Sequence, residues 1–131
     1  MLKKLSTFAL AMSAMLLAPS ESQASARRGT DVPVNIASAK IPSGFDQSDV
    51  VAIVSGIYPN SCYSWSRADL DHKDAYLHEV KAIAHVTQGA CLMVLVPFSE
   101  EIHLGAFEKG THKLRFVNGD GTYFEQNLLV E

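Results

Sequence analysis

The constraint that most limits this chain is its punctuation: beyond residue 26, short runs of β-branched and aromatic residues alternate with Gly, Pro, Asn and Asp, and only one run is long enough to be a helix. Such runs cannot bury themselves singly. They pair edge to edge and then cover a face, which leads to sheet packed on sheet. DVVAIVSGIY (49–58) is rich in β-branched residues, and CYSWSRADL (62–70) alternates in polarity after a Pro-Asn-Ser turn. In AYLHEVKAIAHVT (75–87), Val80, Ala82, Ala84 and Val86 share one parity while Glu79, Lys81 and His85 share the other. That period of two predicts a strand with one wet face, against a competing helix over its first half. CLMVLVPF (91–98) is apolar at both parities, which predicts a central strand covered on both sides or one that switches faces. THKLRFV (111–117) and TYFEQNLLV (122–130) flank Asn118-Gly119-Asp120-Gly121, residues that tolerate positive φ and mark a hairpin.

Seven or eight short strands at roughly ten-residue spacing, with no long crossover helix between parallel neighbours, predict an all-β fold. The expected architecture is a single antiparallel two-sheet sandwich over 49–131. The preceding residues, 27–48, read as a flexible segment with one possible edge strand. Val32, Val34 and Ile36 alternate there, and Pro33 and Pro42 discourage a central position.

Residues 1–26 have the order of a secretory signal peptide: Lys3 and Lys4, the uncharged apolar run Leu5 to Ala18, then small residues ending at Ala24-Ser25-Ala26. Ser22-Gln23-Ala24 is the alternative cleavage site. The run is shorter than the roughly 20 residues that span a bilayer, so no membrane span is expected. Cleavage near Arg27 places the protein in the periplasm or outside the cell. It removes Lys3, Lys4 and Glu21 from the 11 basic and 14 acidic residues, leaving a net charge of −4. A chain with that balance has no basic footprint for nucleic acid.

Export also sets the expected state of Cys62 and Cys91, the only two cysteines. In an oxidising compartment they are expected to pair as a disulfide. A nucleophilic Cys62 working with a histidine, or a thiolate metal ligand, are the alternatives. Neither cysteine sits in a C-x-x-C, and no histidine stands at zinc-finger spacing. Trp65, three residues beyond Cys62, is expected to pack near the bridge.

Five histidines, His72, His78, His85, His103 and His112, have no pair two residues apart that would share a strand face. His72 reads as a turn residue and His85 as a wet-face residue. His103 and His112 flank the 104–111 connection and are the candidate metal ligands, for zinc or copper. His112 also has a structural reading, since Gly110-Thr111-His112 resembles the corner where immunoglobulin-like sandwiches place a tyrosine that bonds back to upstream backbone. The Asn118–Thr122 stretch lacks the third acidic position and the bidentate glutamate of a calcium loop. Glu100 and Glu101, adjacent on a strand, point to opposite faces and make no acid/base pair. No nucleophile-elbow, zincin or phosphate-loop motif occurs, so no catalytic residue and no cofactor are expected.

Gly56-x-x-Pro59-x-x-Cys62, Ala90-Cys91 leading to Val96-Pro97-Phe98, Leu104-Gly105, Gly110-Thr111-His112 and Val117-Asn118-Gly119 together resemble a group of small exported bacterial domains. These are immunoglobulin-like β-sandwiches with one cysteine pair, of unknown function and often found in lipoproteins. The resemblance covers about residues 49–130 and implies that Cys62 pairs with Cys91. The chain departs from that group in having no lipidation cysteine, in His112 standing where an aromatic is usual, and in the extra Asp120-Gly121. The resulting expectation is a soluble, non-catalytic binding or structural module whose partner is a protein or another cell-envelope component, with the oligomeric state open. The rival expectations are a small hydrolase or thiol enzyme using Cys62 or a histidine, and a periplasmic metal-binding accessory protein.

Overall fold

The structure is a computed structural model that describes residues 29–131; the expected signal peptide, 1–26, lies outside the described residues. Eight strands follow one another: β1 (Gly29–Val34), β2 (Ser38–Lys40), β3 (Val50–Tyr58), β4 (Tyr63–His72), β5 (Leu77–Thr87), β6 (Val96–Gly105), β7 (Gly110–Val117) and β8 (Tyr123–Val130). The alternation over 75–87 does form a strand, and no helix occurs among the described residues.

The strands make two sheets. One is the antiparallel sheet β2-β3-β6, and the other is built around β5. β4 pairs with β5 along nearly its whole length, from Tyr63 opposite Val86 to His72 opposite His78, with a bulge at Ser66. The other edge of β5 is shared. β1 runs antiparallel to it, from Gly29 opposite Thr87 to Val34 opposite Ala82, and β7 runs parallel to it, from Leu77 opposite Lys113 to Lys81 opposite Val117. β8 closes the sheet against β7. The expected purely antiparallel pairing is therefore corrected at one pair, β5 and β7. The return between them is made by β6, which lies in the other sheet, so no crossover helix is needed.

β1 and β7 meet end to end at the middle of β5, and two asparagines fasten the junction. Asn118 Oδ1 accepts from Ile36 N at 2.8 Å, and Asn35 Oδ1 accepts from Gly119 N at 3.0 Å. The segment read as one edge strand thus supplies two, and Val34 and Ile36 enter the core. A Cβ on Gly119 would lie 2.4 Å from the carbonyl oxygen of Pro33. Backbone cannot retreat as a side-chain tip can, so Gly119→Ala is expected to cost about 1–3 kcal/mol by forcing this junction apart. Urea unfolding of the variant beside the parent protein checks this, and an unchanged midpoint would count against the close approach.

The core follows from parity. Even-numbered residues of β3 (Val50, Ala52, Val54, Tyr58) face Val80, Ala82 and Ala84 of β5 and Leu114 and Phe116 of β7, with Ile102 and Leu104 of β6 completing the layer. Leu114 and Phe116 are fully buried. Each contributes about 1.5–3 kcal/mol of hydrophobic transfer. At one side of the sandwich Gln126 Nε2 donates to the Ala39 carbonyl at 2.7 Å, joining β8 to β2. At the other side the Trp65 ring lies 6.2 Å from that of Phe98, joining β4 to β6. The outer face of the larger sheet is charged. Arg115 bridges Glu79 and Glu125 across three strands, and Arg67 bonds Asp31 and Asp69.

Candidate functional site

The two ends of the sandwich differ in chemistry. At the end carrying the loops 73–76 and 106–109, three histidines form one chain. His72 Nδ1 and His78 Nδ1 are 2.6 Å apart, His78 Nε2 and His112 Nδ1 are 2.9 Å apart, and His112 Nε2 reaches the carbonyl oxygen of Glu108 at 2.7 Å. A carbonyl only accepts, so His112 donates from Nε2 and, when neutral, accepts at Nδ1. His78 must then donate from Nε2 and accept at Nδ1, and His72 must donate from Nδ1. One backbone carbonyl fixes the tautomer of all three rings. Burial against the stacked rings of Phe107 and His112, with His72 and His112 as neighbours, lowers the pKa of His78 to about 4. Asp74 and the Ala75 backbone act weakly in the opposite direction. The chain is a satisfied, charge-averse polar network, which rigidifies the end of the domain.

His112 thus makes the corner bond, back to Glu108. Its expected meeting with His103 does not occur. Ile102 and Leu104 point inward on β6, so His103 points outward, where it bonds Asp49 at 3.0 Å. His112 shares the inward parity of Leu114 and Phe116. His72 is a strand residue at the end of β4 rather than a turn residue, and His85 bonds Asp31 on the solvated face at 2.8 Å. Parity marks two of the trio as inward, since His78 is in step with Val80, Ala82 and Ala84 and His112 with Leu114 and Phe116.

The opposite end is uncharged. Residues 50–66 and 86–99 contain no Asp, Glu, Lys, Arg or His. Here Cys62 and Cys91 form the expected disulfide, with Cα atoms 5.4 Å apart, a spacing ordinary for such bridges. The expected central strand at 91–98 is overturned in its first half. Residues 88–95 are a loop, and β6 begins only at Val96. Leu92, Met93, Val94 and Leu95 are 70, 80, 52 and 71 % exposed, with Ile57 beside the start of β6 at 58 %. The loop is nonetheless held. Ser61 N donates to the Leu92 carbonyl at 3.0 Å, and Leu92 N donates to Ser61 Oγ at 2.7 Å. Asn60 Oδ1 accepts from Cys62 N at 2.9 Å, and the Cys62 carbonyl accepts from Thr87 N at 3.0 Å. The 59–62 turn, the disulfide and the end of β5 therefore present four successive aliphatic side chains to solvent on a fixed frame. Trp65 packs on Phe98 beneath this end, in a stack continued by Tyr58 and Tyr63.

Among curated proteins and solved structures nothing matches the chain. A family model described as the ORF11 beta-sandwich domain matches residues 52–127, from within β3 to within β8. That span takes in the disulfide, the apolar loop and all three histidines of the chain. The protein belongs to the ORF11 beta-sandwich domain family.

Proposed function

We propose that this protein is an exported, immunoglobulin-like β-sandwich that works as a non-catalytic binding module of the cell envelope, using the disulfide-held apolar end as its contact surface. The observation that carries the reading is the exposed run Leu92-Met93-Val94-Leu95 on a rigid frame. A soluble domain that exposes contiguous aliphatic side chains gives up their burial energy, and such patches mark interaction sites. The Cys62 sulfur is bonded to Cys91, which favours a binding module over a thiol enzyme that would use Cys62. His103 bonds Asp49 and His112 bonds the Glu108 carbonyl, which weighs against the two as one metal-ligand pair.

Two measurements test the proposal. Intact mass of protein recovered after expression with its own N-terminal segment is expected to begin near Arg27 and to gain alkyl groups only after reduction. Alkylation without reduction would overturn the oxidised, exported state. Replacing Leu92, Met93 and Leu95 together by serine is expected to lower co-fractionation with the cell envelope by roughly tenfold. Equal partition of parent and variant would overturn the binding role of this end.

A further inference from the structure

The apolar end has features that narrow its occupant. Its exposed side chains are Leu, Met, Val, Leu and Ile, with no exposed Tyr, Trp or Arg among residues 88–95. Protein interfaces draw most of their energy from those three residue types, and they need donors and acceptors to fix orientation. Five side chains are few beside the roughly 20–30 residues a side of a standard protein interface, so a second copy packed on the tip alone would be held weakly. The tip projects as a loop, whereas a groove is what an amphipathic peptide would require.

The surroundings point the same way. Glu100 stands four residues beyond Val96 on β6, and Arg67 four residues beyond Tyr63 on β4. At the rise of an extended strand each lies about 13 Å back from the tip end. Uncharged Gln88, Asn60, Ser61 and Ser64 lie nearer the tip, and the nearest charge, Asp31 paired with Arg67, sits at the level of Ser64, two residues back from Gly29. An apolar tip, a polar belt and a charged body behind it match the order of hydrocarbon, headgroup and water at a bilayer surface.

We infer that the Leu92–Leu95 loop docks on the surface of a lipid bilayer, its side chains entering the outer edge of the hydrocarbon while Ser61, Asn60 and Gln88 remain among the headgroups. This inference rests on the binding-module reading and names its partner as lipid. The interaction is apolar, so it needs no anionic lipid. The loop carries its own backbone amides and carbonyls, which limits insertion to the interface and forbids a span.

The test is flotation with phosphatidylcholine vesicles, using the chain expressed with its own N-terminal segment, processed as the cell processes it, its first residue established by intact mass. The parent protein is expected to float with the vesicles at low and high salt alike. Leu92→Ser, Met93→Ser and Leu95→Ser combined, checked for an intact disulfide and an unchanged near-ultraviolet spectrum, should lower the floating fraction by about tenfold. Lys109→Ala at the opposite end should leave it unchanged. No flotation of the parent protein, or equal flotation of the serine variant, overturns lipid docking. If the parent protein does not float while the serine variant still loses envelope co-fractionation, the binding module stands and its partner is a protein. If neither measurement responds to the tip, both readings fall. A parent dimer that the serine substitutions convert to monomer, without flotation, assigns the tip to a second copy and also overturns the inference.

Discussion

Replacing both Cys62 and Cys91 by serine is expected to lower the free energy of unfolding by about 3.5 kcal/mol and the midpoint of thermal unfolding by roughly 15–25 °C. The bridge closes a loop of 29 residues in sequence, and its main effect is to remove chain entropy from the unfolded state. A domain of this size has about 5–15 kcal/mol in total, so the loss is a large share. A second effect is local. With the bridge gone, residues 88–95 keep only the two hydrogen bonds to Ser61, and the apolar tip loses its frame. Hydrogen exchange should therefore speed up at residues 88–95 by more than it does on β7 and β8, which carry neither cysteine. Calorimetry on oxidised protein, reduced protein and the double-serine variant checks the magnitude. If reduction shifts the midpoint by only a degree or two, the bridge is marginal and the tip is held by Ser61 alone.

That same loop shows where reading strands from apolar runs fails. CLMVLVPF satisfies every local criterion for a buried strand, yet only its last three residues join one. The reason lies in the partner rather than in the run. β3 ends at Tyr58, opposite Val96, because Pro59 and Asn60 turn the chain away. Residues 91–95 thus have no ladder to join, and Gly89, at φ 135°, with the Cys62 bridge directs them along the end of the sandwich instead. Availability of a partner is a non-local property that a local window does not contain.

Where one face is buried, parity was a dependable guide. Val80, Ala82 and Ala84, or Leu114 and Phe116, announce both their strands and the direction in which they point. The Asn118–Gly121 turn was equally legible, because its chemistry is local: Asn118 N bonds the Thr122 carbonyl at 2.7 Å and Asp120 Oδ1 takes Thr122 N at 2.9 Å. The parallel pairing of β7 with β5 was not legible. It depends on β1 occupying only half of one edge of β5, and the asparagine clasp that divides that edge joins residues more than 80 apart in sequence. The histidine chain falls between these cases. Parity places His78 and His112 inward, but their adjacency requires the register of that parallel pair.

The buried imidazole of His78 should make the protein sensitive to acid well above the range where carboxylates protonate. His78 holds a pKa of about 4 in the folded state against about 6.5 when unfolded, so between these values the unfolded chain binds the additional proton. Stability is then fully present above pH 6.5, declines as pH falls through that value, and has lost its whole contribution below pH 4. The size is about 3 kcal/mol, since each tenfold loss of proton affinity on folding corresponds to about 1.4 kcal/mol and the ring is only 5 % exposed. The lowered carboxylates of Asp31, Asp46, Asp71 and Asp120 also favour the folded state, but their contributions are lost only as pH falls through the ordinary aspartate range and below. Urea unfolding between pH 7.5 and 4.5 therefore separates the two, with a slope approaching one proton in the window that belongs to His78. His78→Gln keeps a donor and an acceptor between His72 and His112 but does not titrate. Its unfolding free energy should lie below that of the parent protein at pH 7.5 and approach it near pH 4.5. Parallel curves for the two proteins across that range would show that His78 carries its proton as readily folded as unfolded, and the fixed-tautomer chain from Glu108 to His72 would then be wrong.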